Sequence, residues 1–258
     1  MVIFFIFIFG LCIGSFLNAV IWRLHRKESF FKGRSYCPKC RHSLGARDLI
    51  PLLSFLLLKG KCRYCKEKIS RQYPVIELAT GLLFCLVYWQ GLEYRDILHL
   101  TPYTLYLLRD WFFISVLVVI FVYDLKYYLI LDKVTIPAIV LAFIVNLLLK
   151  IPFTNLLLGG IIVSGFFLLQ FLVSRGKWIG GGDIRLGFLM GVMLGWPKAI
   201  VALFLAYIIG ALIGVILIIL KKKTWKSEIP FGTFLAVGTV NTLLYGEYLL
   251  EWYMGMVK

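Results

Sequence analysis

Apolar and polar positions in this 258-residue chain fall into long blocks and do not alternate. Apolar runs of roughly 20 residues recur from one end to the other, the length a helix needs to cross a bilayer. A membrane β-barrel would alternate apolar and polar residues in short segments, and that pattern is absent. The blocks predict eight helices, at about residues 2–21, 75–89, 105–123, 135–149, 155–174, 183–196, 198–220 and 231–253. The expected fold is therefore an all-α polytopic membrane protein with about eight transmembrane helices. It divides into a first transmembrane helix (1–22), a basic loop (23–73) and a transmembrane bundle (74–258).

Charge sets the expected orientation. The 23–73 loop carries fourteen Lys and Arg against Glu28, Asp48 and Glu67, so the positive-inside rule puts it in the cytoplasm. Eight crossings then place the segments 175–182 and Lys221 to Lys226 on the same side. The nearly neutral loop with Glu93, Arg95, Asp96 and His99 falls outside. The first apolar segment lacks a basic n-region and reads as a retained helix, not a cleaved signal.

Composition agrees with this reading. The chain is 61% hydrophobic and 16% charged with mean hydropathy +0.89, which excludes an ordinary soluble domain. A net charge of +15 suggests nucleic acid in a soluble protein. Here the basic residues sit in loops beside the bilayer, so the partner they imply is membrane lipid, with no nucleic acid.

The basic loop contains Cys37-Pro38-Lys39-Cys40 and Cys62-Arg63-Tyr64-Cys65, with 21 residues between the pairs. Two CxxC knuckles aim four thiolates at one ion, the closed tetrahedral shell of structural zinc. Reducing cytoplasm argues against disulfides. The plain alternative is four unligated thiols or a redox pair. So basic a loop has little apolar core, and a metal would supply its folding energy. Cys12 and Cys85, in apolar helices, read as packing residues.

Most carboxylates need only solvation, among them Asp48, Asp96 and Asp110. Asp124, Asp132 and Asp183 stand at the expected cytoplasmic edge of the membrane. Asp124 and Asp132 are eight residues apart, about 12 Å along a helix, too far to share a proton. The workable pair is Asp124 with Asp183, from different helices. Two such carboxyls held close do not both ionise, so one serves as base and the other as acid. The plain reading pairs Asp124 with Lys126 or Lys133, and Asp183 with Arg185. A third reading is the ion or proton site of a membrane transporter. The glycines at 180–182 would let another chain come close to Asp183.

With these residues assembled, the chain resembles the bifunctional type IV prepilin peptidases (prepilin leader peptidase/N-methyltransferases), which are GxGD aspartic membrane proteases. The resemblance runs in order through the Gly14 to Leu24 segment, the four cysteines and the Ile69 to Gly81 segment. It continues through Tyr123-Asp124 to Leu131-Asp132, Gly180-Gly181-Gly182-Asp183 and Ile229-Pro230-Phe231-Gly232. It implies Asp124 and Asp183 as a catalytic dyad supported by Gly180, Gly182, Asp132 and Arg185. The implied substrates are type IV prepilins and pseudopilins, cut at the cytoplasmic face of a bacterial inner membrane. It also implies methylation of the new N-terminus from S-adenosylmethionine, associated with the cysteine loop and involving Glu77 and Gly81. Two positions depart from the family: Leu131 stands where proline is usual, and Arg185 where lysine is usual. Oligomeric state, the pilins processed and their pathway are not legible.

Overall fold

The computed structural model describes residues 1–29, 33–94, 100–224 and 227–256. Arg95, Asp96 and His99 of the expected outer loop, and Trp225 and Lys226 of the last basic loop, lie outside the described residues. Among the described residues the chain is helical throughout its long elements, with two isolated β-bridges. The helices are α1 (Val2–Arg26), α2 (Leu53–Leu57), α3 (Gln72–Tyr94), α4 (Leu100–Tyr127), α5 (Asp132–Leu148), α6 (Phe153–Ser174), α7 (Gly181–Leu194), α8 (Lys198–Ile219) and α9 (Phe231–Met256).

The eight long helices stand at the eight expected places, most of them longer than apolarity alone indicated. Polar end residues extend a helix as readily as apolar ones, so α1 continues past Ile21 to Arg26, where Lys27 turns out with φ 58°. Asp124 lies inside the last turn of α4, and Asp132 opens α5. Among the described residues, five helices are long and apolar enough to cross a bilayer by length and composition: α1, α3, α4, α6 and α8. At 17 and 14 residues, α5 and α7 rise about 26 and 21 Å against a hydrocarbon core of about 30 Å. Only 17% of the most apolar window of α8 is buried within the protein, so its remaining surface needs an apolar solvent. The chain is a multi-pass membrane protein.

The chain forms two compact units, 1–97 and 98–258. In the first, α1 packs along α3 with the cysteine loop between them in sequence. Contact is backbone to backbone: a Cβ at Gly10 would stand 2.7 Å from Gly81 Cα, and one at Gly14 2.7 Å from Glu77 Cα. Small residues one turn apart are how membrane helices come this close.

In the second unit α6 runs along α7, α8 along α9, α4 against α9 and α5 against α7. Phe113, Leu117, Val163, Phe167, Leu186, Leu189, Met190 and Leu235 are fully buried in its core. α7 sits deepest. A Cβ at Gly191 would strike the Gly159 and Gly160 backbone. At the far end of α7, Asn146 Nδ2 donates to Val192 O at 2.7 Å, and Arg109 Nη1 donates to Asn146 Oδ1 at 3.4 Å. Asn155 brackets Trp196, accepting from its N–H and donating to its carbonyl. These bonds pair carbonyls that the helix end leaves open. They fix the short helix that carries Asp183.

Candidate functional site

Asp124 is 4% exposed, a low value for a carboxylate in an apolar helix. Its Oδ2 accepts the Thr233 backbone N–H at 2.9 Å. Thr233 is in the first turn of α9, where N–H groups have no partner within the helix. Gly232 allows this approach, since a Cβ there would lie 2.9 Å from Asp124 Oδ2 and 2.9 Å from Ile130 Cδ1.

Asp183 occupies the first turn of α7. Its N–H donates to Gly180 O, and its Oδ2 accepts the Gly180 N–H, both at 3.1 Å. This reciprocal closure also aligns a carboxylate with the positive end of the helix dipole. Of the three glycines, Gly182 is the sterically required one: its Cβ would stand 2.9 Å from Ile130 Cβ. Gly180 and Gly181 have only ordinary contacts or open space.

Ile130 thus touches the positions of both Gly182 and Gly232. It draws the α4–α5 loop, the start of α7 and the start of α9 together at one end of the unit. Gly182 adjoins Asp183, and Gly232 lies against Asp124, so both aspartates stand at that end.

The plain pairings do not form. Among the described residues neither Asp124 nor Asp183 has an ion pair. Arg185 pairs instead with Asp132, Nη1 to Oδ2 at 2.8 Å, tying α7 to α5. Residues 183 and 185 point to opposite sides of a helix, which is why Arg185 turns away from the nearer acid. Both members of the pair are a little under half exposed.

In the first unit all four cysteines converge. Cys37, Cys40, Cys62 and Cys65 place their sulfurs within 4.8 Å of one another, with Cys37 and Cys65 at 3.8 Å. Zn–S bonds of about 2.3 Å at tetrahedral angles require S···S near 3.8 Å, so the set fits zinc. The two knuckles repeat one backbone design. Cys37 N–H donates to His42 O and Arg41 N–H to Cys37 O, as Cys62 N–H does to Glu67 O and Lys66 N–H to Cys62 O.

Burial works to raise the Cys37 thiol, but the Cys40 and Lys39 N–H groups outweigh it and bring it down to about 7. At Cys65 the Glu67 N–H pulls down, while burial and the other three sulfurs push its thiol up to about 11. A divalent cation held by the four would supply the charge that lets all of them be thiolates together.

Asp48, expected to be merely solvated, staples the knuckles. Its side chain is 6% exposed, accepts from Arg63 Nε at 2.6 Å, from Tyr64 Oη and from the Gly45 N–H, and is held below the usual range chiefly by Arg63. His42 stacks on Tyr64 at 3.6 Å across the knuckles and adds no ligand to the cluster. Cys12 is exposed and so does not pack in the interior, whereas Cys85 donates to Ile3 O. Asp110, also expected to be solvated, is 18% exposed and bonds Arg109 Nε at 2.7 Å.

Glu77 is 7% exposed and its Oε2 accepts the Leu52 N–H at 2.9 Å; Leu52 has φ 59°. Asn18, one turn beyond Gly14, is 1% exposed and bonds Gly14 O, Tyr73 O and Gln72 Nε2. Gly81 faces α1, where its Cβ would meet Phe7 and Leu11 at 2.9 and 3.1 Å, so its place is in helix packing. Glu77 and Gly81 lie in the first unit, the aspartates in the second.

Comparison with known proteins bears on both units. The bacterial peptidase A24 N-terminal domain model matches residues 8–91, and the type IV leader peptidase family model matches residues 111–215. A Bacillus subtilis (strain 168) protein named prepilin leader peptidase/N-methyltransferase is 33% identical over 251 residues, covering 97% of each chain. An Aeromonas salmonicida (strain A449) protein of the same name is 34% identical over 285 aligned positions, covering 98% of this chain and 94% of that one. A Stutzerimonas stutzeri relative, again so named, is 29% identical over 97% of this chain and 93% of its own. No solved structure matches. None of these relatives supports a transporter.

Proposed function

Since this chain belongs to the type IV leader peptidase family, we propose that it removes the leader from type IV prepilins and pseudopilins and then N-methylates the new N-terminal residue. The observation that carries the reading is the placement of Asp124 and Asp183 at the one end of a helical unit that Ile130 draws together, each bound by a backbone N–H and, among the described residues, neither in an ion pair.

Hydrolysis by two carboxyls needs one ionised and the other protonated. The ionised one takes a proton from water as that water attacks the scissile carbonyl. The protonated one gives its proton to the departing amine. Ile130 and Arg185–Asp132 keep the three chain segments in register around the pair. The active end and the cysteine loop face the cytoplasm, in agreement with the basic character of the loops beside them.

Cys37, Cys40, Cys62 and Cys65 would hold a structural zinc with no open coordination position. S-adenosylmethionine supplies the methyl group when bound. Glu77 is the proposed contact for methyl transfer, because its buried carboxylate complements a sulfonium or an N-terminal ammonium. Gly81 acts there only through the packing of α1 on α3.

The test is incubation of the purified protein, in lipid, with a prepilin and S-adenosylmethionine, followed by mass analysis of the product. Leader release with one added methyl supports both activities. A folded protein that leaves several prepilins and pseudopilins intact would contradict the reading.

A further inference from the structure

Among the described residues of the second unit, two further polar side chains stand in apolar runs and face each other. Gln170 lies in the run Phe166-Phe167-Leu168-Leu169-Gln170-Phe171-Leu172 of α6, and Tyr207 in Leu203-Phe204-Leu205-Ala206-Tyr207-Ile208-Ile209 of α8. They bond each other: Gln170 Nε2 donates to Tyr207 Oη at 3.0 Å, and Tyr207 O–H reaches Gln170 Oε1 at 3.2 Å. Both are partly buried among aromatic rings. Tyr207 is edge-on to Phe231 at 4.9 Å and to Phe166 at 5.9 Å. A phenylalanine and a leucine would fill this space without the cost of taking an amide and a hydroxyl out of water. Polar groups inside membrane helices are therefore candidates for function.

Their position gives the candidate its content. Phe231 is followed by Gly232 and Thr233, which contact Asp124. Counted from the α7–α8 turn, Asp183 stands eleven residues back from Leu194 and Tyr207 nine residues on from Lys198, about 16 and 14 Å along their helices. The two lie at similar depth along their helices.

We propose that Gln170 and Tyr207 bind the opened backbone of the substrate beside the scissile bond, a role that rests on the leader-peptidase reading. A peptide bond inside a helix is shielded by its own hydrogen bonds, so it must be unwound to be hydrolysed. Unwinding in an apolar site leaves N–H and C=O groups without water, which is costly unless the protein pairs them. A primary amide donates and accepts, as does a phenol. The Gln170–Tyr207 bond keeps both groups satisfied in the resting protein, and a peptide group replaces that bond when substrate arrives.

The experiment places p-benzoylphenylalanine at position 207 in an Asp183→Asn protein reconstituted in lipid with intact prepilin. A second probe at Leu212, 60% exposed on α8, serves as the comparison. Illumination should join position 207 to the few residues around the cut site, whereas position 212 should label lipid. In parallel, Tyr207→Phe and Gln170→Leu should each lower kcat/KM about tenfold, mostly through KM, with melting unchanged. Their double variant should lose little more, since the two act on one peptide. Crosslinks only to the distal substrate helix, or a folded Tyr207→Phe protein with wild-type KM, would overturn the proposal while leaving the peptidase intact. Wild-type protein that cuts no prepilin would remove both.

Discussion

Adding one methyl group at Gly232 separates damage to the acid pair from damage to the fold. In Gly232→Ala the new Cβ would stand 2.9 Å from Asp124 Oδ2, where ordinary contacts begin at 3.4 Å. The terminal methyl of Ile130, also at 2.9 Å, can rotate away. The carboxylate cannot move freely, because the Thr233 N–H holds that same oxygen. It must shift by about 0.5 Å, and misplacing a reacting group by about 1 Å costs roughly 100-fold. Weakening the Thr233 bond adds about tenfold, as a hydrogen bond to a charged group is worth about 1.5–3 kcal/mol. The expected loss is therefore about 10- to 100-fold in kcat, with KM little changed and about 1–3 kcal/mol of overpacking. Two other glycines calibrate the result. Gly165→Ala meets no atom within 4 Å and should cleave as wild type with a small gain in stability. Gly191→Ala strikes the α6 backbone and should fail to assemble. The assay is initial-rate leader release in lipid nanodiscs, with thermal melting on the same samples. A folded Gly232→Ala protein cutting within twofold of wild type would refute the geometry argued for Asp124.

Four further outcomes are expected. Cys62→Ser, or a strong chelator, should release one zinc per chain and expose the amides of the two knuckles to hydrogen exchange, with α1 and α3 still protected. Glu77→Gln should retain leader cleavage and lose methylation, read as product mass. Asn146→Ala should lower stability by about 1–3 kcal/mol, because it leaves Val192 O unpaired in the interior, measured by denaturant melting. Acid should loosen the cysteine loop through Asp48. Its folded pKa lies below its unfolded value of about 3.9, so its contribution is complete above that value and fades as pH falls through the folded one. Asp48→Asn should remove that part of the acid response, seen in the Tyr64 and amide signals of the loop.

The features that were legible in the sequence are those that a local rule controls. Apolar blocks located the helices because burial in lipid depends on composition, and CxxC spacing located the four-cysteine cluster because the knuckle turns are local. The glycine run before Asp183 marked a close approach, although Gly182 alone turns out to need it. What escaped the sequence depends on long-range partners. Arg185 bonds Asp132, 53 residues away, and nothing in its neighbourhood distinguishes that acid from Asp183. Asp48 looked solvated until Arg63 and Tyr64 came round to it. The ends of α1, α3 and α4 were placed short because hydropathy falls at the membrane surface while helical hydrogen bonding continues. Gln170 went unread in the sequence, because an amide in an apolar run carries no meaning until Tyr207 stands opposite it.

The central claim, that Asp124 and Asp183 act together on a prepilin, is tested most directly by leader release from Asp124→Asn and Asp183→Asn. Each would be purified in lipid and shown by melting and zinc content to be folded. The account predicts that each change alone abolishes cleavage, with the double variant no worse, because neither carboxyl works without the other. Cleavage at near wild-type rate by either folded variant would contradict it.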